Sequence, residues 1–264
     1  GVKLLDYSSD ESHNRTVVTF VGGPEEVLEA AFKSAEKAAD LIDLEKHKGE
    51  HPRMGATDVI PFIPISGVDM KDCVKLAQEL GRRLGEELGI PVYLYEEAAT
   101  RPERKNLADV RRGQYEELKT AIKDPERKPD FGPMKMPRAG ATAVGARPPL
   151  IAYNINLDTG DIKIANKIAR LIRGSGGGFK SVKALGVMIE GRNLAQVTIN
   201  MCNYKEAPLH RVFELVKIEA ARYGVNVVGS EIVGLVPMDA LLDTADFYLR
   251  LEGFKKEQVL ESRI

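Results

Sequence analysis

The 264 residues carry 38 basic and 39 acidic side chains, a net charge of -1, so no global field draws the chain to nucleic acid or to an anionic membrane. Hydrophobic residues make up 43%, enough for a sizeable core, yet no apolar run approaches the roughly 20 residues that span a bilayer. The two cysteines, Cys73 and Cys202, fall in periodic apolar segments, which suits buried thiols of a cytoplasmic protein better than a disulfide framework.

In chain order, VKLLDYS and RTVVTFVG read as paired strands around the polar turn SDESHN. GGPEEVLEAAFKSAEKAADLID follows, with Pro24 at a first helical position and apolar residues at Val27, Ala31, Ala35, Ala38 and Ile42, the repeat of an amphipathic helix. Residues 57–65 predict a strand apolar on both faces. MKDCVKLAQELGRRLGEELG places Cys73, Leu76, Leu80, Leu84 and Leu88 on one helical side, and PVYLYEEA is the next strand, so the order to this point is ββαβαβ. Residues 100–148 change character: they are rich in charge and proline, with a short helical piece near 106–122, and read as a boundary or a functional loop.

From Leu150 a second series begins: strand LIAYNINL, helix DIKIANKIARLIR, strands SVKALGVMIEG and LAQVTINMC, helix PLHRVFELVKIEAARYG, strand VNVVGSEIVGLV and a last helix from Met238. The order βαββαβ is the split ferredoxin-like arrangement, an antiparallel sheet with helices on one face. The expected division is 1–148 and 149–264, an α+β chain of two ferredoxin-like subdomains, each with a mainly antiparallel sheet. The first half matches the second only if one strand and one helix precede Gly1, so the chain is expected to begin inside its native domain.

Strand alternation adds a functional hint. In LIAYNINL, Ile151, Tyr153, Ile155 and Leu157 share one face, leaving Asn154 and Asn156 on the other, and in LAQVTINMC the same rule sets Gln196, Thr198 and Asn200 opposite Ala195, Val197, Ile199 and Met201. Solvated sheet faces recruit lysine and glutamate. A face of amides and hydroxyls fits one covered by a polar ligand, or a half-wet face against another domain.

The stretch HKGEHPRMGATDVIPFIPI holds two of the four histidines. HKGEH satisfies the H-x-x-E-H zinc-peptidase pattern, but Gly49 and Pro52 argue against the helix that pattern needs, so no metal site is expected. His51 is the better candidate for chemistry. Pro52 stiffens the chain beside it, Arg53 is adjacent, and an imidazole with an ordinary pKa near 6.5 exchanges protons at neutral pH. A turn histidine bonded to backbone is the alternative. GSGGG at 174–178 follows a helix and lacks the lysine of a phosphate loop, and DFG at 130–132 lacks the other kinase motifs.

Taken in order, HKGEHPRMGATDVIPFIP, GIPVYLYEEAA, DFGP, GATAVGAR, NINL, NLAQVTIN and VVGSEIVGLVP resemble the formiminotransferase domain of glutamate formiminotransferases, folate enzymes of histidine degradation. The resemblance runs from about Val2 to Leu251. It implies two ferredoxin-like subdomains with a folate-binding cleft between them, a homodimer, and transfer of a formimino group from N-formimino-L-glutamate to tetrahydrofolate as cosubstrate. The family's catalytic histidine falls on His51, and its folate loop on Gly132, Pro133, Met134, Lys135, Met136, Pro137, Arg138, Ala139 and Gly140. The family's VPNFSEG-like opening has no counterpart here, an aspartate found near Ser8 in some members is absent, with Asp10 as its nearest replacement, and the cyclodeaminase domain fused in vertebrate members is missing.

Both substrates are carboxylates, for which guanidinium groups are apt partners, and Arg15, Arg53, Arg138 and Arg147 lie beside turns or glycine-rich segments. Asp58 is expected to orient His51 or to end the turn before the strand. Asn154, Asn156, Gln196 and Asn200 are the amides that alternation offers to a pterin edge. Three alternatives stay open: formyl transfer to glutamate on the same scaffold, a non-catalytic folate-binding protein, and a zinc hydrolase.

Overall fold

Residues 1–189 and 191–263 are described by the structure, a computed structural model, in which the chain divides into two units, Gly1–Arg147 and Pro148–Ile264. No helix among the described residues is long and apolar enough to cross a membrane.

The first unit opens with the antiparallel hairpin β1 (Lys3–Asp10) and β2 (Arg15–Val21), whose tight turn puts Asn14 at φ 48. Asparagine tolerates that left-handed conformation better than most residues. Helix α1 (Pro24–Leu41) has Pro24 in its first turn with Glu25 and Glu26, where carboxylates favour the positive end of the helix dipole. Helix α2 (Met70–Glu87) starts at a reciprocal capping box: Asp72 N–H donates to Asp69 at 3.0 Å, and Asp69 N–H donates to Asp72 at 3.2 Å.

Three further strands, β3 (Val59–Phe62), β4 (Val92–Glu96) and β5 (Thr142–Ala146), form a sheet in the order β3-β5-β4. All of its pairings are parallel, which differs from the antiparallel sheet expected for this half. The reason lies in the connections. α2 carries the chain across from β3 to β4, and residues 97–141 carry it back to insert β5 between them. That segment, read as a boundary or functional loop with a short helical piece near 106–122, folds there as α3 (Leu107–Val110) and α4 (Gln114–Ala121) and then delivers a central strand that the sequence reading did not mark.

The helices consequently cover both faces of this sheet. On one face Val92, Leu94, Val144 and Ala146 pack with Phe32, Ala35, Cys73, Leu80 and Leu84 of α1 and α2. On the other, Tyr93, Tyr95, Ala141 and Ala143 pack with Val110, Leu118 and Ile122 and with Met54. Parallel sheets are normally buried on both sides, and the wholly buried TAVGA run of β5 shows why small residues suit its centre. A Cβ on Gly145 would lie 2.5 Å from the Tyr95 ring. Pro61 is tolerated because β3 is an edge strand. Asp130 of the DFG stretch ties the long connection down: it accepts from Leu94 N–H at 2.8 Å and pairs with the buried Arg104, which sits 5.1 Å from the Tyr93 ring centre.

The second unit comprises β6 (Ile151–Leu157), α5 (Ile162–Ile172), β7 (Val182–Ile189), β8 (Leu194–Met201), α6 (Leu209–Ala221), β9 (Val227–Val233) and α7 (Met238–Leu249). Its strands lie in the order β7-β8-β6-β9, all antiparallel, which is the ferredoxin-like topology. Ile151, Ile155, Leu157, Val197, Ile199 and Met201 face the helices and pack with Ile168, Ile172, Val212 and Val216. GSGGG is the connection from α5 to β7. Cys73 is buried and Cys202 half-buried, with no disulfide.

Candidate active site

HKGEHPRMGATD lies outside any helix, since α1 ends at Leu41 and β3 starts at Val59. The His47 Nε2–H donates to the Asn14 carbonyl at 2.9 Å, so His47 serves the hairpin turn and shares no helix face with His51. Among the described residues no group of three or more His, Cys, Asp and Glu side chains is placed to hold a metal ion.

Three segments distant in sequence hold this loop. The hairpin turn docks on its start: Asn14 Nδ2–H donates to Lys48 O at 2.7 Å, and Glu50 N–H to Ser12 O at 3.1 Å. The α3–α4 corner docks on its middle, where Tyr115 N–H donates to Arg53 O at 3.0 Å and Glu116 takes both Nη groups of Arg53, at 2.7 and 2.8 Å. The 132–140 segment docks on its end. Ala56 N–H donates to Ala139 O at 2.7 Å, Ala141 N–H to Met54 O at 2.9 Å, and Gly55 bridges Gly140. Two glycines permit that last approach: a Cβ on Gly55 would stand 2.0 Å from Ala141 O, and one on Gly140, at φ 74, 2.3 Å from Met54 O. The His51 loop and the 132–140 loop are thus stitched together by backbone at the amino ends of β3 and β5.

Met54, wholly buried, pins the loop to the sheet. His51 is half-buried, and its imidazole makes no hydrogen bond to any described residue, unlike the turn-bonded alternative. Burial, and the positive charges of Arg111, Arg15 and His13, push its pKa down to about 4, so the ring is neutral and able to accept a proton at pH 7.

The expected residues sort by what they touch. Asp58 accepts from Met54 N–H at 2.8 Å and lies 2.7 Å from Arg111 Nη2, so its carboxylate closes the turn and holds an arginine rather than bonding the His51 ring. Burial raises its pKa, against the pull of Arg111 and the Met54 N–H. Arg53 is committed to Glu116, Arg138 to Asp43, and Arg147 to Tyr95. Arg15 has no ion-pair partner among the described residues. Of the 132–140 stretch, Gly132, Pro133, Met134 and Lys135 are exposed, Met136, Pro137 and Ala139 are half-buried, and Gly140 is buried. Arg138 O also accepts from Leu44 N–H at 3.0 Å.

On the sheet face of the second unit away from its helices, the buried Asn156 stands opposite the buried Gln196, and Gln196 Nε2–H donates to Asn156 Oδ1 at 2.9 Å. Asn154 and Gln196 both donate to Glu231 Oε1, at 3.0 and 3.3 Å. Asn200 is exposed on the same strand and stands apart from this network. Sequence reasoning missed Glu231, Glu116 and Arg111. Alternation in VVGSEIV puts Glu231 on one face with Gly229, but which face it meets is set by a register no local pattern displays.

Residues 1–147 match the family model described as the N-terminal subdomain of the formiminotransferase domain, and residues 152–262 match the one described as the formiminotransferase domain. The chain belongs to the formiminotransferase domain family. It is 54% identical to the glutamate formimidoyltransferase of Streptococcus pyogenes serotype M1, over all of this chain and 89% of that protein. With the glutamate formimidoyltransferase of Thermoplasma acidophilum it shares 52% identity, over all of this chain and 88% of that protein. The formimidoyltransferase-cyclodeaminase of Mus musculus is 50% identical over 94% of this chain and 47% of its own length. Within this formiminotransferase chain, the loop bearing His51 and the loop at 132–140 are the pair the fold brings together.

Proposed function

We propose that the chain is a glutamate formimidoyltransferase, passing the formimino group of N-formimino-L-glutamate to tetrahydrofolate and releasing glutamate and 5-formiminotetrahydrofolate. The observation that supports this most is its 54% identity, over the whole chain, to a glutamate formimidoyltransferase. The unbonded imidazole of His51 beside the 132–140 loop gives that reading a chemical centre.

In the transfer, a bond forms from N5 of the folate to the amidine carbon, and the bond from that carbon to the glutamate nitrogen breaks. N5 loses a proton and the departing nitrogen gains one. His51 takes the first and returns it to the second, which requires a neutral ring at the outset and reach to both nitrogens from one position. Its low pKa in the unliganded protein supplies the neutral ring. Holding two substrates in line makes the step effectively unimolecular. The stitched backbone between 54–56 and 139–141 is what fixes His51 against the loop assigned to folate.

The exposed run Gly132–Lys135 is assigned to folate contact and the Asn154, Asn156, Gln196 and Glu231 network to the pterin edge, whose donors and acceptors match amides and a carboxylate. A cytoplasmic setting is part of the same reading. Homodimer assembly is part of the same reading and rests on the family resemblance.

The test is to mix purified protein with tetrahydrofolate and either N-formimino- or N-formyl-L-glutamate and follow the folate absorbance. Product from the formimino donor alone is expected. Product only from the formyl donor would reassign the reaction, and saturable folate binding without product from either would make the chain a carrier.

A further inference from the structure

His51 stands between two arms that each bring a cation. The hairpin turn, docked on Lys48 and Glu50, brings His13 and Arg15, and the α3–α4 corner, docked through Tyr115 and Glu116 on Arg53, brings Arg111. Neither arginine is held by two hydrogen bonds to a carboxylate as Arg53 is. Arg53 is chelated by Glu116 and Arg138 is paired with Asp43, whereas Arg15 has no carboxylate within ion-pair distance among the described residues. Arg111 Nη2 lies 2.7 Å from Asp58 Oδ2, but the two are not aligned for a hydrogen bond. Arg111 Nε and Asp58 Oδ2 are both buried without a hydrogen-bond partner. A buried guanidinium edge left unbonded carries a desolvation cost that an incoming acceptor removes.

We propose that Arg111, held in place by Asp58, forms with Arg15 a seat for a carboxylate of the donor amino acid beside His51, and that filling this seat makes His51 more basic. The proposal rests on the formimino-transfer reading and assigns the donor's anchor within it. Arginine suits the task because its planar fork meets a carboxylate through two parallel hydrogen bonds. The charged and titratable groups facing this loop are Asp10, His13 and Arg15 from the hairpin, with Asp10 2.8 Å from His13, Arg111 just after α3, and Arg53, Asp58 and His47 from the loop itself. Arg53 is balanced by Glu116, Arg111 faces Asp58 and His13 faces Asp10; after burial, the charges that bear on the His51 ring are those of Arg111, Arg15 and His13, all of which disfavour its protonation. A carboxylate bound there cancels part of that field. The free protein therefore keeps the ring neutral, and the bound donor strengthens it as a base when a proton must be taken.

The experiment is a magnetic-resonance titration of the His51 ring in the wild-type protein with and without saturating L-glutamate, with glutamate affinity measured by calorimetry in wild type, Arg111→Gln and Arg111→Lys. In the wild type, glutamate should raise the pH at which the ring titrates by about one to three units. Arg111→Gln should weaken glutamate binding by about ten- to a hundredfold and abolish most of that rise. Arg111→Lys, which keeps the charge beside Asp58 but loses the fork, should fold normally and restore part of both. Glutamate bound equally well by Arg111→Gln, or a His51 titration that saturating glutamate leaves in place in the wild type, overturns the seat. Failure of the underlying reading looks different: the wild-type protein would then bind neither glutamate nor tetrahydrofolate, and the seat would fall with it.

Discussion

The two units solve the burial of a sheet in opposite ways. In the first, the parallel sheet β3-β5-β4 is covered on both faces, and its strands have no surface left for chemistry. The His51 and 132–140 loops lie at the amino ends of β3 and β5, where backbone hydrogen bonds and two close glycine contacts hold them in place. In the second, the antiparallel sheet packs helices against one face only and leaves the other to Asn154, Asn156, Gln196 and Glu231, which order one another across three strands. A loop site depends on everything that docks against it; a sheet-face site depends on register alone.

Equal core truncations should separate the two designs. Leu118→Ala on α4 and Ile168→Ala on α5 both remove wholly buried side chains, and each should cost about 2–5 kcal/mol of unfolding free energy, measured by chemical denaturation. Leu118→Ala should also loosen the α3–α4 corner and disturb the His51 ring resonances. Ile168→Ala should leave those resonances in place, and a matching disturbance there would contradict the division.

Gly140→Ala tests the stitch itself. A side chain at φ 74, with its Cβ 2.3 Å from Met54 O, should cost about 1–3 kcal/mol in backbone strain alone and lower turnover together with melting temperature. On the other unit, Gln196→Leu deprives Asn156 Oδ1 and Glu231 of a donor. It should lower stability by only about 1 kcal/mol while weakening tetrahydrofolate binding about tenfold, read by fluorescence titration.

A different readout is pH dependence. The folded protein holds the His51 pKa near 4 against an ordinary 6.5, so the unfolded chain binds more protons between those values. His51 therefore contributes stability that is fully present above about pH 6.5 and is lost as the pH falls toward 4. His51→Asn should flatten that part of the stability profile. The depressed carboxyls of Asp43, held down first by Arg138, and Glu116, held down first by Arg53, lose their contribution at lower pH, whereas His210, also lowered by burial, shares this window with His51, so the test is the difference between His51→Asn and wild type.

Much of the second unit was legible in the sequence because its strands alternate and its helices repeat: Ile151, Tyr153, Ile155 and Leu157 face the core as alternation requires. β5 was not, because TAVGA is buried on both faces, short, and made of residues too small to show a period. Missing it hid the parallel order, although the helical piece near 106–122 was marked. His51 and the 132–140 loop could be marked by resemblance, but the partners of Asp58, Arg53 and Asn154 lie some 50 to 80 positions away, where no local pattern reaches.

The central claim is that the imidazole of His51 carries the proton between the two nitrogens of the transfer. The most direct test compares steady-state turnover and tetrahydrofolate affinity in wild type and His51→Ala, with N-formimino-L-glutamate as donor. Turnover should fall about 10²- to 10⁴-fold with folate affinity nearly unchanged. A variant that turns over at the wild-type rate would contradict it.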